Sequence, residues 1–280
     1  MSTSFMILGS GQDGGAPQVG NRSSVSPHRT ASCVAVMGPQ GSVILLDATP
    51  DLRSQSYRLL SSDRYPKDRE TFVDGVFVTH AHMGHYSGLV HFGNEAAASD
   101  HLPLLGTERF LAYLASNEPW ATLLSEGHLE PVAVDTMTAT IDEHMEIEAI
   151  SVPHRDEFSD TVAFSISIEG QPWLLYLPDI DTWDTWHVAD AEIARHDVAL
   201  LDATFSSANE LPWRDMQSIG HPLVPDTIER FGRLTDDTNI ILTHINHSNP
   251  LGDETSEITH QAINAGFTVA YDGLMFESDR

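Results

Sequence analysis

Cysteine is almost missing from the sequence, with one residue, Cys33, among 280. One cysteine cannot form an internal disulfide, and it cannot build a zinc site that needs several thiolates. Cys33 lies in the apolar segment from Ala31 to Met37, which predicts a strand. We therefore interpret it as a small core residue rather than a nucleophile.

Basic residues are also scarce: 14 Lys and Arg are outnumbered by 41 Asp and Glu, so the formal net charge is −27. A surface of this sign repels phosphate backbones and anionic lipid headgroups. We therefore expect no nucleic acid and no membrane among the partners, and a small molecule as the substrate. Assembly as a homodimer is left open.

The sequence has no long apolar run and no linker. Met1 to Ser4 carries no basic residue and is followed by the short apolar run Phe5 to Leu8, so we expect neither a signal peptide nor a membrane span, and a cytoplasmic protein. No low-complexity tract or abrupt shift in composition divides the chain. Residues 1–280 are expected to form a single domain.

Helical periodicity is absent where a nucleotide site would need it. Gly9 to Gly15 contains the spacing G-x-G-x-x-G, but Ala16 to Asn21, which follows, has no helical pattern. A dinucleotide fingerprint requires a helix that opens at this point with its amides facing the pyrophosphate. We therefore expect no nucleotide cofactor, and a glycine loop that passes close to an active site.

Histidine, in contrast, is concentrated: three imidazoles lie within six residues, at His80, His82 and His85. The apolar run Val76 to Val78 before them predicts a strand that ends at Thr79, and Tyr86 to Glu95 after them predicts a helix. Two histidines separated by one residue on extended or turned backbone can point the same way. His80 and His82 can thus hold one metal ion, while His85 points to a neighbouring position.

Other predicted strands also end in residues that carry charge or bind metals. Val43 to Leu46 is almost continuously apolar and hence buried, and a carboxylate at its end needs hydrogen bonds or a nearby positive charge. Single histidines at strand ends are weak signals taken one at a time. The residues at these strand ends are Asp47, His154, Asp179, Asp202 and His244.

The histidine segment resembles the H-x-H-x-D-H motif of the metallo-β-lactamase superfamily, with Gly84 where that family usually has Asp. The resemblance implies an α/β fold of the metallo-β-lactamase type, an αββα sandwich in which two mixed sheets are flanked by helices. It places the metal ligands at strand ends, in a cleft along one edge of the sandwich.

The same resemblance implies a role for each of these residues. It places a first metal on His80, His82 and His154, and a second on His85 and His244. Asp179 takes the position of the carboxylate that bridges the two metals, and Asp202 is its competitor. Asp47, and Asp202 if it does not bridge, would support the ligands from behind.

Several further stretches resemble the pyrroloquinoline-quinone biosynthesis protein B family. They include L-G-S-G-Q-D-G-G-A-P-Q from Leu8, T-H-I-N-H-S-N-P from Thr243 and V-A-Y-D-G from Val269. That family usually carries a cysteine cluster after its glycine loop, which Gly20 to Thr30 lacks, and it commonly lacks the full H-x-H pair. The chain is therefore similar to a relative with a more complete site rather than to a certain member of the pathway.

Three histidine ligands with an open position suit Zn²⁺, which lowers the pKa of bound water and makes hydroxide available as a nucleophile. We therefore predict a metal-dependent hydrolase of a small ester, lactone, amide or phosphodiester, with one or two zinc ions. His221 or His247 would donate a proton to the leaving group. For His221, a helix-cap or surface role is equally open.

Gly84 leaves two alternatives. Without a carboxylate at that position the second site keeps His85, His244 and Asp179, the two-histidine, one-carboxylate set of non-haem Fe²⁺ oxygenases. An oxygenase or hydroxylase using Fe²⁺, or a site holding Mn²⁺, is therefore an alternative, and a non-catalytic small-molecule carrier is another. Replacing Gly84 by Asp is expected to strengthen the second site.

Overall fold

The computed structural model describes residues 2–21, 24–134, 138–211 and 219–279, and within these ranges it contains two seven-stranded sheets. The first sheet has the order β14-β1-β2-β3-β4-β5-β6 and the second the order β13-β12-β11-β10-β9-β8-β7. The strands of the first sheet are β1 (Ser4–Gly9), β2 (Cys33–Met37), β3 (Val43–Leu46), β4 (Gly75–Phe77), β5 (Leu102–Gly106), β6 (Leu129–Ala133) and β14 (Met275–Glu277). Those of the second are β7 (Thr138–Thr140), β8 (Met145–Val152), β9 (Thr161–Ile168), β10 (Gln171–Leu177), β11 (Val198–Asp202), β12 (Asn239–Thr243) and β13 (Thr268–Val269).

The two sheets repeat one pattern of strand pairing. From β14 to β3 the neighbours are antiparallel, and from β3 to β6 they are parallel. From β7 to β10 the neighbours are antiparallel, and from β10 to β13 they are parallel. Both sheets are therefore mixed, as the resemblance implied.

Three apolar clusters hold the layers together. One lies between the sheets and joins residues such as Phe5 and Phe77 to Phe164 and Leu200. A second packs the first sheet against its outer helices, and a third does the same for the second sheet. The order of layers is helices, sheet, sheet, helices, so the predicted αββα sandwich is confirmed.

The helices pack on the outer faces of the two sheets. Those outside the first sheet are α1 (Leu52–Leu60), α2 (Met83–Tyr86), α3 (Glu108–Ala115) and α4 (Trp120–Ser125), and those outside the second are α5 (Ala189–Ala194), α6 (Val224–Phe231) and α7 (Glu257–Asn264). The strand predicted to reach Thr79 ends at Phe77, and the helix predicted over Tyr86 to Glu95 is wrong in type. A single turn, α2, leads into the 3₁₀ helix Ser87–Phe92, whose tight winding brings the backbone of Gly88 against Thr49 and Ala48.

No helix among the described residues is long and apolar enough to cross a membrane.

One buried histidine supports the fold far from the strand ends that carry the predicted ligands. His196 lies between α5 and the second sheet, where its Nδ1 donates to the Glu192 carbonyl at 2.6 Å and its Nε2 accepts from the Ser165 hydroxyl at 2.7 Å. Both contacts suit the neutral ring. Burial lowers the pKa of His196 to about 4.

We predict that this group makes stability depend on pH. Between about 6.5, the pKa of an unperturbed histidine, and about 4, unfolding takes up a proton at His196, so the free energy of unfolding falls as the pH is lowered through this range. The contribution is about 3 kcal/mol at most. Denaturant titrations at several pH values should show a shallower loss for His196→Gln than for the unaltered protein.

His260→Gln, at an exposed position on α7, is the control and should keep the original slope. Equal slopes for His196→Gln and the unaltered protein would show that His196 does not titrate in this range.

Candidate metal centre

The predicted ligands lie where strands of both sheets end at one edge of the sandwich. In the first sheet, the loop after β4 carries His80 and His82, the short helix α2 that follows carries His85, and Asp47 directly follows the neighbouring parallel strand β3. In the second sheet the residues that end or follow strands are His154, Asp179, Asp202 and His244. Because parallel neighbours end at the same edge, residues distant in the chain meet there.

A first cluster consists of His80, His82, His154 and Asp179, whose ligand atoms all lie within 4.8 Å of one another. His80 Nε2 is 2.8 Å from His82 Nδ1, and His154 Nε2 is 3.3 Å from the same atom. The Asp179 carboxylate lies 3.4 Å from His80 Nε2 and 3.7 Å from His154 Nε2. Ligand atoms around a tetrahedral zinc ion are separated by about 3.4 Å, so this spacing fits one cation.

A second cluster shares Asp179 and consists of Asp13, His85, Asp179 and His244. His85 Nε2 is 3.0 Å from the Asp179 carboxylate and 3.2 Å from Asp13 Oδ1. His244 Nε2 is 3.3 Å from Asp179 and 3.7 Å from Asp13. Three of these residues, His85, Asp179 and His244, were predicted near a second metal; Asp13 was not predicted as a ligand, although the glycine loop that carries it was expected close to the site.

The partners behind the histidines fix which ring nitrogen is free. Thr79 Oγ1 donates to Asp47 and accepts from His80 Nδ1 at 2.9 Å. Thr204 Oγ1 likewise donates to Asp202 at 2.6 Å and accepts from His244 Nδ1 at 2.8 Å. The proton therefore lies on Nδ1 of both rings, and Nε2 presents a lone pair to the cluster.

Asp47 has the supporting position that the resemblance implied. Its fully buried carboxylate accepts from the Thr79 backbone amide at 2.8 Å, the His85 Nδ1 at 2.8 Å and the Tyr176 hydroxyl at 3.0 Å. His85 Nδ1 is thus a donor, and its Nε2 lone pair also points to the cluster. On the outer side, His154 Nδ1 lies 2.9 Å from Asp181.

The surrounding charges keep the carboxylates ionised. Burial would raise the pKa of Asp179, but the imidazoles around it, His244 and His154 first, hold that pKa well below its usual range. Burial likewise opposes ionisation of Asp13, but His244 and His85, which can donate to this carboxylate when their rings are protonated and no metal is bound, hold its pKa well below its usual range. Burial also lowers the pKa of His80, which favours the neutral ring that a metal requires.

Both clusters fit a divalent cation, and the strongest observation is a set of buried atoms without hydrogen-bond partners. Among the described residues these include Asp13 Oδ1, His85 Nε2 and His244 Nε2 of the second cluster, together with Asp179 Oδ1, which faces His154 and His221. Leaving one buried polar atom unsatisfied costs about 1–3 kcal/mol. Three such atoms in one place indicate a bound ion as their common partner.

The two predicted proton donors lie in different surroundings. The side chain of His221 is buried, with its Nδ1 2.7 Å from Asp202 and 3.3 Å from Asp179, and its ring centre is 5.6 Å from that of His154. Asp202 thus contacts His221, and the carboxylate that the two clusters share is Asp179. His247 lies outside both clusters, where its Nδ1 is 3.1 Å from the Asn21 amide.

Comparison with known proteins agrees with this geometry. The profile of the beta-lactamase superfamily domain matches residues 43–245. The chain belongs to this superfamily. It is 27% identical to coenzyme PQQ synthesis protein B of Cupriavidus taiwanensis, over 97% of this chain and 98% of that protein.

Two solved structures show the same fold. Zn²⁺-bound PqqB from Methylobacterium extorquens superimposes with a TM-score of 0.81 at 24% identity, over 98% of this chain and 100% of the other. A diphosphatase from the PhnP family gives a TM-score of 0.70 at 20% identity, over 99% of this chain and 98% of that one. Both are likenesses of fold within the superfamily.

Two cavities lie beside the two clusters. One, of about 780 Å³, is lined by residues that include Arg155, Asp181 and His221. The other, of about 750 Å³, is lined by residues that include Asp13, Gln18 and His247. Volumes of this size suit a small molecule.

We predict that His82→Ala removes the metal of the first cluster while the fold remains. Loss of a residue that only hydrogen-bonds a metal ligand weakens metal binding about 10- to 100-fold, so loss of a ligand itself should weaken it by at least about 100-fold. The measurement is metal content together with chelator competition, with circular dichroism to check the fold.

His260→Ala, on the exposed face of α7, is the matched control and should keep its metal. Full metal content in the His82 variant would remove this residue from the ligand set.

Proposed function

We propose that the protein is a metal-dependent hydrolase that cleaves a small ester, lactone, amide or phosphodiester, with zinc as the metal. The observation that carries the proposal is the pair of ligand clusters joined by Asp179, which lie beside two cavities of small-molecule size. Membership of the beta-lactamase superfamily and the likeness to a zinc-bound relative and to a diphosphatase support it.

The first metal would be held by His80, His82 and His154 and the second by His85 and His244, with the Asp179 carboxylate within reach of both. When bound, such ions lower the pKa of water and polarise the scissile oxygen. The buried carboxylates Asp47 and Asp202 keep the ligand rings in the required tautomer, because each accepts hydrogen bonds that orient a threonine hydroxyl toward a ring Nδ1.

His221 is the proton donor that the geometry favours. Its Nδ1 lies against Asp202, and the residue also lines the cavity that contains Arg155 and Asp181. An imidazole held by a carboxylate at one nitrogen can present its other nitrogen to a leaving group, as general acid catalysis requires. His247 lines the opposite cavity, and its Nδ1 lies against the Asn21 side-chain amide rather than a carboxylate, so it is the weaker candidate.

Asp13 favours hydrolysis over oxygen chemistry. The oxygenase alternative depends on a second site with two histidines and one carboxylate, which leaves several coordination positions open for oxygen and substrate. With Asp13 beside His85, His244 and Asp179, this cluster contains two carboxylates and fewer open positions. A carrier without metal is also disfavoured, because the buried polar atoms of the cluster would then remain unsatisfied.

The test is metal analysis of protein purified aerobically and anaerobically without added metal, followed by assays on 4-nitrophenyl esters, lactones and bis(4-nitrophenyl) phosphate. We expect zinc, and a hydrolytic activity that a chelator abolishes and zinc restores. Mn²⁺ or Fe²⁺ supporting the same hydrolysis would change the metal and keep the reaction. Iron with substrate-dependent oxygen uptake would refute the proposal, and so would a tightly held small molecule without metal.

We further predict that His221→Ala lowers kcat by about 100-fold or more with metal content unchanged, since positioned acids contribute about 10²- to 10⁴-fold. His247→Ala is the matched comparison and should change kcat by less than about 3-fold on the same scale. The reverse ranking would transfer the donor role to His247.

A further inference from the structure

The backbone at Gly84 leaves no room for the carboxylate that the superfamily motif usually carries there. A Cβ atom built on Gly84 would lie 2.5 Å from Asp13 Cα and 2.7 Å from Asp13 Cβ. Carbon atoms that are not bonded cannot approach so closely, so Asp13 and a side chain at position 84 exclude each other. The glycine is therefore required by the loop that packs on it.

The side chain that fills this space is itself a carboxylate, and it is oriented inward. Asp13 Oδ2 accepts from the Gln12 side-chain Nε2 at 3.1 Å, while Asp13 Oδ1 is buried and lies 3.2 Å from His85 Nε2 and 3.7 Å from His244 Nε2. The outer oxygen is thus satisfied by the protein, and the inner one faces two imidazole lone pairs. A cation completes this arrangement.

The loop that carries Asp13 is anchored on both sides. Asp272 accepts from the Ser10 amide and hydroxyl at 3.0 and 2.8 Å, and from the Thr30 amide and hydroxyl at 2.8 and 2.7 Å. Buried Arg29 donates to the Ser10 hydroxyl at 2.7 Å, and its backbone pairs with Ala16 beyond Asp13. The loop is therefore a fixed support rather than a free segment, as a metal ligand needs.

We propose that Asp13 is a ligand of the second metal, supplied by the glycine loop in place of the missing carboxylate at position 84. The proposal rests on the metal centre of the proposed function and adds a residue to it. It also reverses the expectation for Gly84→Asp, because a new side chain there meets the Asp13 backbone before it can reach the metal.

The experiment uses the full chain, stripped of metal and titrated with Co²⁺ and Zn²⁺ against a chromophoric chelator to obtain both dissociation constants. Asp13→Ala should retain one equivalent with the affinity of the unaltered protein and bind the second at least about 10-fold more weakly, on the scale of losses at metal sites. Asp13→Asn, which keeps the shape but loses the charge, should also weaken the second equivalent. Cobalt absorption should change for the second ion and not for the first.

Two controls distinguish this from a general effect. Asp100→Asn removes a carboxylate whose side chain is 94% exposed and far from the strand-end histidines, and it should leave both constants unchanged. Gly84→Asp should weaken the second equivalent, not strengthen it, and melting of the metal-free proteins shows whether each variant folds.

The inference is overturned if folded Asp13→Ala binds both equivalents as tightly as the unaltered protein, or if Gly84→Asp tightens the second. These constants are measured without any substrate. Failure to find hydrolysis would therefore refute the proposed function and leave the assignment of Asp13 as a metal ligand unchanged.

Discussion

The Asp179 carboxylate is the point on which the centre depends. It is buried, and its oxygens lie 3.0–3.7 Å from ring nitrogens of five histidines: His80, His85, His154, His221 and His244. An ionised carboxylate inside a protein needs compensating charge or several hydrogen bonds. The Nε2 atoms of His80, His85 and His244 face it as lone pairs, so cations bound by these rings would supply the compensation.

Each half of the fold orients one histidine of the clusters through the same chain of hydrogen bonds. In the first sheet Asp47 orients Thr79, which orients His80, and in the second Asp202 orients Thr204, which orients His244. Each buried carboxylate is placed at the end of an apolar strand, and each has its hydrogen bonds satisfied there. The two sheets thus share a pattern of strand pairing and also an Asp–Thr–His arrangement of hydrogen bonds at their common edge.

Much of this could be predicted from the sequence. Apolar runs that end in His or Asp predicted the strands, and the H-x-H spacing predicted a pair of histidine ligands for one metal. Both predictions depend on residues that are close together in the chain. Helix ends and helix type were harder to predict. Tertiary packing, rather than the local sequence pattern, makes the segment after His85 a 3₁₀ helix. Asp13 was missed because its role depends on contact with Gly84, a residue of a different segment.

The sequence by itself determined the residue types, the alternation of buried strands and polar ends, and the absence of cysteine ligands, because these are properties of single positions and short spacings. The tertiary structure decided which carboxylate accompanies His85 and His244 and which histidine lies beside Asp202. Those choices follow from the distances between loops of two sheets, and the chain fixes such distances only when it packs.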